Sequence, residues 1–185
     1  MLISLATRAQ VTPVADEEPF KYDIEKNIFR GTVTFSLPSE ALLLLNYERK
    51  LQRPFTVVFK GGGSMFARPD NIDNQIELAA LASAELRYYF NLKRRARKEK
   101  TTRNFSASYL SLEPFVRSNP LVVFNDPLAE DRPSAIGVYV NVGFQKQRRQ
   151  NYIAAYIGFR FGTKGPNEQE IYDYVHLGLV IGKIL

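Results

Sequence analysis

The stretch "IELAALASAELRYYFN", residues 76–91, constrains the fold of this chain more than any other. Its composition suits a helix, since Ala, Leu, Glu and Arg are good helix formers and a basic run follows, as helix C-termini favour. Its periodicity does not. A helical face starting at Leu78 runs Leu78, Leu81, Ala82, Glu85 and Tyr89, with a carboxylate in its middle. Counted in twos, Ile76, Leu78, Ala80, Ala82, Ala84, Leu86, Tyr88 and Phe90 are all apolar. The alternate set, Glu77 to Asn91, is mostly polar. A two-residue period held this long specifies a strand near 76–92, well beyond the usual five or six residues.

The same alternation recurs along the chain. It predicts eight strands, near 28–37, 41–51, 54–66, 76–92, 104–116, 135–147, 151–162 and 172–185, and no helix. In "GVYVNVGFQK", Val138, Val140, Val142 and Phe144 share one face; in "YIAAYIGFRFG", Ile153, Ile157, Phe159 and Phe161 do. The opposite faces hold Gly, Ser, Tyr and Asn with sparse charges, where a solvated face would carry many Lys and Glu. Small residues and a few opposite charges suit a narrow interior in which each charge needs a partner. The pattern therefore predicts an all-β, antiparallel, up-and-down eight-stranded transmembrane β-barrel with its apolar face outward. Its lumen would be plugged by Glu48, Glu85, Arg87, Glu113 and Arg160, with Lys60 on the same face.

Composition narrows the alternatives. The 185 residues suit one domain; there is no cysteine for a disulfide or thiolate metal site, and one histidine excludes a multi-histidine metal centre. No stretch reaches the eighteen or so apolar residues of a membrane helix, which is silent about barrels. Residues 1–10, "MLISLATRAQ", resemble the tail of a secretory signal peptide but lack its basic beginning, and an ordinary lead-in reads as well. Residues 11–27 form a polar, acidic lead-in, and 28–185 form the barrel domain.

The net charge of +6 and pI near 9.5 favour a polyanionic partner, and the distribution says which. With eight strands running up and down, one rim takes 49–53, 93–103 and 146–149, at +3, +6 and +3. The other takes Glu40, 67–77, 117–134 and 163–173, at −1, −2, −1 and −2. The basic rim comprises Arg49, Lys93, Arg94, Arg95, Arg97, Lys98, Arg148 and Arg149, at the level where cations meet lipid phosphates. Tyr47, Tyr88, Phe90, Phe105, Phe144 and Tyr152 gather near it as an aromatic girdle would. "LKRRARKEK" adjoins no aromatic stacking platform within a recognisable module, so nucleic acid is not the expected partner.

"LNYERKL", "AELRYYFN", "VGFQK", "YIGFRFG" and "LGLVIGKI" together resemble the small eight-stranded outer-membrane barrel proteins of unknown function from Gram-negative bacteria. The resemblance spans residues 28–185 and places Tyr47, Glu48, Arg49, Arg87, Tyr88 and Tyr89 at strand endings. It implies an outer-membrane location with both termini periplasmic, a monomer, outer-membrane lipid around it, and the barrel insertion machinery as a partner. That machinery reads a C-terminal aromatic in such barrels, whereas this chain ends "GKIL", with Lys183 on the lipid face. Near the interface a lysine costs roughly 0–1 kcal/mol against 2–4 at the midplane, so the fold tolerates it.

No catalysis, metal or cofactor is expected, and the predicted role is structural or interaction-based. His176 faces inward, flanked on its own face by Tyr174 and Gly178, so a serine (Ser108 or Ser111) could reach it only through the fold. "KGGGS" at 60–64 lacks the Lys-Ser/Thr ending and following helix of a phosphate loop, and reads as a bend or close backbone contact. Two alternatives stay open. A lipid-modifying barrel enzyme would need a serine beside His176. A soluble lipocalin-like carrier of an apolar ligand would reverse the facing, with Val138, Val140, Ile157 and Phe159 inside and Arg87 and Arg160 outside.

Overall fold

In the computed structural model the described residues are 26–37, 40–52, 54–68, 75–98, 100, 102–124, 134–164 and 174–185. Strands form wherever the two-residue period runs. They are β1 (Asn27–Leu37), β2 (Glu40–Gln52), β3 (Phe55–Arg68), β4 (Gln75–Tyr88), β5 (Ser108–Arg117), β6 (Val122–Phe124), β7 (Ala135–Arg148), β8 (Asn151–Lys164) and β9 (Tyr174–Ile184). The sheet order is β3-β2-β1-β9-β8-β7-β5-β4, and pairing of β3 with β4 closes it into an antiparallel eight-stranded barrel. Apart from three-residue β6, the strands are 10 to 14 residues long. Closure gives every barrel strand two neighbours and abolishes the exposed edge.

β6 prolongs the line of β5 along β4: β5 pairs with Leu81–Tyr88 and β6 with Ile76–Leu78. The jog between them keeps the edge of β4 satisfied. The Ser118 amide donates to the Ala80 carbonyl at 2.9 Å, the Ala80 amide donates to Ser118 Oγ at 3.0 Å, and the Leu121 amide donates to the Leu78 carbonyl at 2.7 Å.

The structure departs from the sequence reading at the basic run. The fourth strand ends at Tyr88, and "LKRRAR" forms a short helix, α1 (Leu92–Arg97), where none was expected. The alternation fails beyond Asn91, and Leu92 turns inward to be buried, which frees the following good helix formers to coil. The fifth strand starts at Ser108 rather than 104, because Asn104 (φ 43°) and Phe105 (φ 59°) adopt left-handed backbone. That conformation strains a bulky residue such as Phe105, which is held by complete burial and by its amide donating to the Thr102 carbonyl at 3.1 Å.

Facing follows parity. Along β4, Glu77, Ala79, Leu81, Glu85 and Arg87 are buried inside, while Leu86 and Tyr88 are exposed outside. On β8, Ile157 and Phe159 are 52% and 54% exposed, and Arg87 is 5% exposed. The inward apolar set that a lipocalin-like carrier requires is therefore on the outer wall.

A glycine on β3 lets the neighbouring strand approach closely. A Cβ on Gly62 would collide with the Leu43 carbonyl of β2, whereas one on Gly61 would meet nothing within 4 Å and one on Gly63 would make ordinary contact with the Ala79 carbonyl. Hence the close backbone contact expected of "KGGGS" occurs at its middle glycine. Gly62→Ala should cost about 1–3 kcal/mol, the usual range for overpacking, and Gly61→Ala and Gly63→Ala should be near neutral. Urea midpoints of the three variants in detergent, read by gel mobility of folded and unfolded bands, check this.

Candidate functional site

The lumen concentrates the polar chemistry of the chain. At the end that holds both β1's start and β9's finish (the terminal rim), Arg30 of β1 meets Glu48 of β2 at 2.5 Å. Glu48 Oε1 also accepts from Thr56 Oγ1 of β3 at 2.8 Å and from the Tyr89 hydroxyl at 3.0 Å. The Arg30 guanidinium lies 4.4 Å over the ring of Tyr152 on β8. Tyr152 donates to Gln145 Oε1 of β7 at 3.0 Å, the oxygen that also accepts from Arg87 Nη1 of β4 at 2.6 Å.

The connection continues deeper. Arg87 Nη2 holds Glu85 Oε2 at 2.6 Å, and the Arg87 guanidinium sits 4.7 Å over Tyr109. Lys60 of β3 is shared: its Nζ lies 2.7 Å from Glu85 Oε2 and 2.8 Å from Glu113 Oε2 of β5. Ser83 Oγ donates to the other Glu113 oxygen at 2.6 Å. One continuous network thus touches β1, β2, β3, β4, β5, β7 and β8. Nearer the far rim, Arg117 meets Glu77 at 3.3 Å, and Arg160 lies 4.7 Å over Phe115 and 5.7 Å over Tyr139. Among the described residues the lumen carries Arg30, Lys60, Arg87, Arg117 and Arg160 together with Glu40, Glu48, Glu77, Glu85 and Glu113. Cations and carboxylates are thus interleaved there, so they offset one another where water is scarce.

The five residues predicted for the lumen all lie inside it. Glu48, Glu85, Arg87 and Glu113 are joined in the network, and Arg160 lies over the rings of Phe115 and Tyr139. Sequence reasoning missed Arg30 and gave Lys60 no role. The signal for Arg30 was its place in phase with Thr32, Thr34 and Ser36 in "FRGTVTFSL". The sharing of Lys60 between Glu85 and Glu113 depends on the curvature of the wall, which periodicity does not encode.

Two girdle residues are corrected. Tyr152 is 4% exposed and Phe105 0%, both inside. Tyr152 is drawn in by Arg30 and Gln145. Phe105 stacks on Tyr89 at 4.7 Å and, with Leu92, Ala107 and Tyr109, forms a cluster at the terminal rim. The segment is pinned to β7, whose Gln145 amide donates to the Ala107 carbonyl at 3.0 Å and whose Gln147 amide donates to Ser106 Oγ at 2.9 Å. Outside, Tyr47 packs against Phe29 at 4.8 Å and Tyr88 against Phe55 at 5.1 Å, while Phe90 and Phe144 are exposed. Arg49, Lys93, Arg94, Arg97, Lys98, Arg148 and Arg149 are exposed at the terminal rim, and Arg95 is half-buried.

His176 is buried, 4.7 Å from the Tyr139 ring and 5.3 Å from the Tyr156 ring. Ser111 occupies the same transverse row but is three strands away, with Asn141 and Gly158 between them, and Ser108 falls on the outward face. No serine–histidine pair is formed among these residues. A cavity of about 50 Å³ lies between the two walls, bounded by Thr32, Thr34, Leu44, Lys60, Asn141 and His176 among others. That is room for small polar species such as water, not for an organic ligand.

Because Lys60 neutralises two carboxylates, Lys60→Met should destabilise the barrel by about 3–5 kcal/mol, the cost of breaking a buried pair. Adding Glu85→Gln and Glu113→Gln to that variant should recover much of the loss. Denaturant titration of the native, single-variant and triple-variant proteins would expose a purely packing role for Lys60 if the triple variant were no better than the single one.

No family model matches this sequence, and no curated protein or solved structure matches it. What the chain does has to be argued from its own geometry.

Proposed function

We propose that this chain is an outer-membrane barrel protein with a structural or interaction role, akin to the small eight-stranded barrels its strand endings resemble. The observation that carries this reading is the outer wall. Thirty large apolar side chains are exposed among the described residues, most of them on that wall. At roughly 25 cal/mol per Å² and about 90 Å² each, covering them is worth on the order of 70 kcal/mol, several times the 5–15 kcal/mol net stability of a domain. A lone soluble chain rarely leaves such a surface in water. Strands of 10 to 14 residues also suit a bilayer, which tilted strands of about 9–11 residues cross.

In this reading the rim that holds α1, the start of β1 and the finish of β9 lies on the periplasmic side, and the opposite rim faces outward. The internal charge network supports a plugged, rigid post rather than a wide pore, since eight strands enclose little more than their own side chains.

Ile157 sits midway along the outward row of β8. Ile157→Arg should lower the folded fraction in phospholipid vesicles by about 2–4 kcal/mol, and Lys183→Gln at the rim should change it by less than about 1. Folding yields by heat-modifiable gel mobility decide. A neutral Ile157→Arg, or a native chain soluble and monomeric without detergent, would remove the membrane reading.

A further inference from the structure

The outward positions of the barrel strands carry four charged residues among those described: Arg49 on β2, Lys146 and Arg148 on β7, and Lys183 on β9. All four are cations and all four stand at the terminal rim. Helix α1 and the Lys98 that caps it add Lys93, Arg94, Arg97 and Lys98 at the same level. The placement of α1 is fixed, because Leu92 is buried in the cluster with Tyr89 and Phe105 while the Arg95 guanidinium lies 5.7 Å over the ring of Phe144 on the outer face of β7.

We propose that the terminal rim binds the phosphates of anionic phospholipid headgroups, most strongly at the outer face of β7, where Arg95, Lys146 and Arg148 flank Phe144. The proposal rests on the membrane reading and names which lipid that rim selects. Three features favour lipid over an acidic protein. The cations begin where the apolar wall ends, which is where headgroup phosphates lie, and polybasic surfaces there are attracted to anionic lipid. Phe144 and Leu110 continue the wall below them, so one molecule can set its chain on β5 and β7 and its phosphate among the cations. Guanidinium groups grip phosphate oxygens in pairs, and a helix anchored through Leu92 presents Arg95 already ordered, which reduces the entropy lost on binding.

The test uses the absence of tryptophan from the chain. A single Trp is placed at Val142, outward on β7 next to Phe144, and in a second protein at Ile136, outward at the far end of the same strand. Each is folded into phosphatidylcholine vesicles, and quenching by brominated phosphatidylglycerol is compared with quenching by brominated phosphatidylcholine. At Val142→Trp the anionic lipid should be preferred roughly fivefold, as expected for one net phosphate contact; at Ile136→Trp the ratio should be near one. Adding Arg95→Gln, Lys146→Gln and Arg148→Gln to the Val142→Trp protein should bring its ratio to near one. So should about 1 M salt on the unsubstituted rim, which covers the case of a triple variant that folds poorly. Equal ratios at the two ends, or a Val142→Trp preference that survives high salt, would overturn the assignment and leave the membrane reading intact. Absence of quenching by either lipid at both positions would overturn both, and an acidic protein as the partner would then be the surviving explanation for the rim.

Discussion

The contact on which the barrel's interior depends is the shared Lys60 ammonium between Glu85 and Glu113. Without it, two carboxylates would face each other inside a wall with little water to screen them. With it, β3, β4 and β5 are locked at one level, and Glu85 is free to hold Arg87. Through Gln145 and Tyr152 the chain of contacts returns to Arg30 and Glu48. The barrel is thus cross-braced from within, a different plan from a soluble domain, where apolar side chains fill the middle and charges decorate the surface.

That plan explains the division of residue types. Tyr109, Tyr139 and Tyr156 serve as fillers because each offers a ring to a cation or to His176, and inward glycines accept those rings. A Cβ on Gly143 would meet the Tyr109 ring, and one on Gly178 the Tyr156 ring. Most of the large apolar residues are left to the outer wall, where they touch their cross-strand neighbours and stay exposed. Interior polarity and exterior greasiness are two faces of one constraint, that a wall one residue thick has only two sides.

Much of this was legible in the sequence, because parity is rigid: a strand's even and odd residues cannot both face the same way. The eight long strands and the inward position of Glu48, Glu85, Arg87, Glu113 and Arg160 follow from that alone. What parity cannot reveal is where it stops. The helix at Leu92–Arg97 and the kink at Asn104 and Phe105 arise at a rim, where burial of Leu92 and Phe105 outweighs strand continuation. Tyr152 was misplaced because a tyrosine near a rim can serve the lipid boundary equally well. Its inward facing is set by Arg30 and Gln145, which come from other strands. The short β6 was illegible for a similar reason, since three residues are too few for a period.

The first and last strands lie side by side, with Arg30 opposite Ile184 and Leu37 opposite Leu177. Among the described residues this seam is the longest-range strand pairing, joining residues at opposite ends of the domain. Until β9 has been synthesised, β1 has nothing on one flank and the circle stays open. In the membrane setting proposed above, intermediates would expose ladder groups where no water can satisfy them. Assembly is therefore expected to be slow and nearly all-or-none. A chaperone able to shield a growing open sheet would ease the passage more than any gain in local strand propensity.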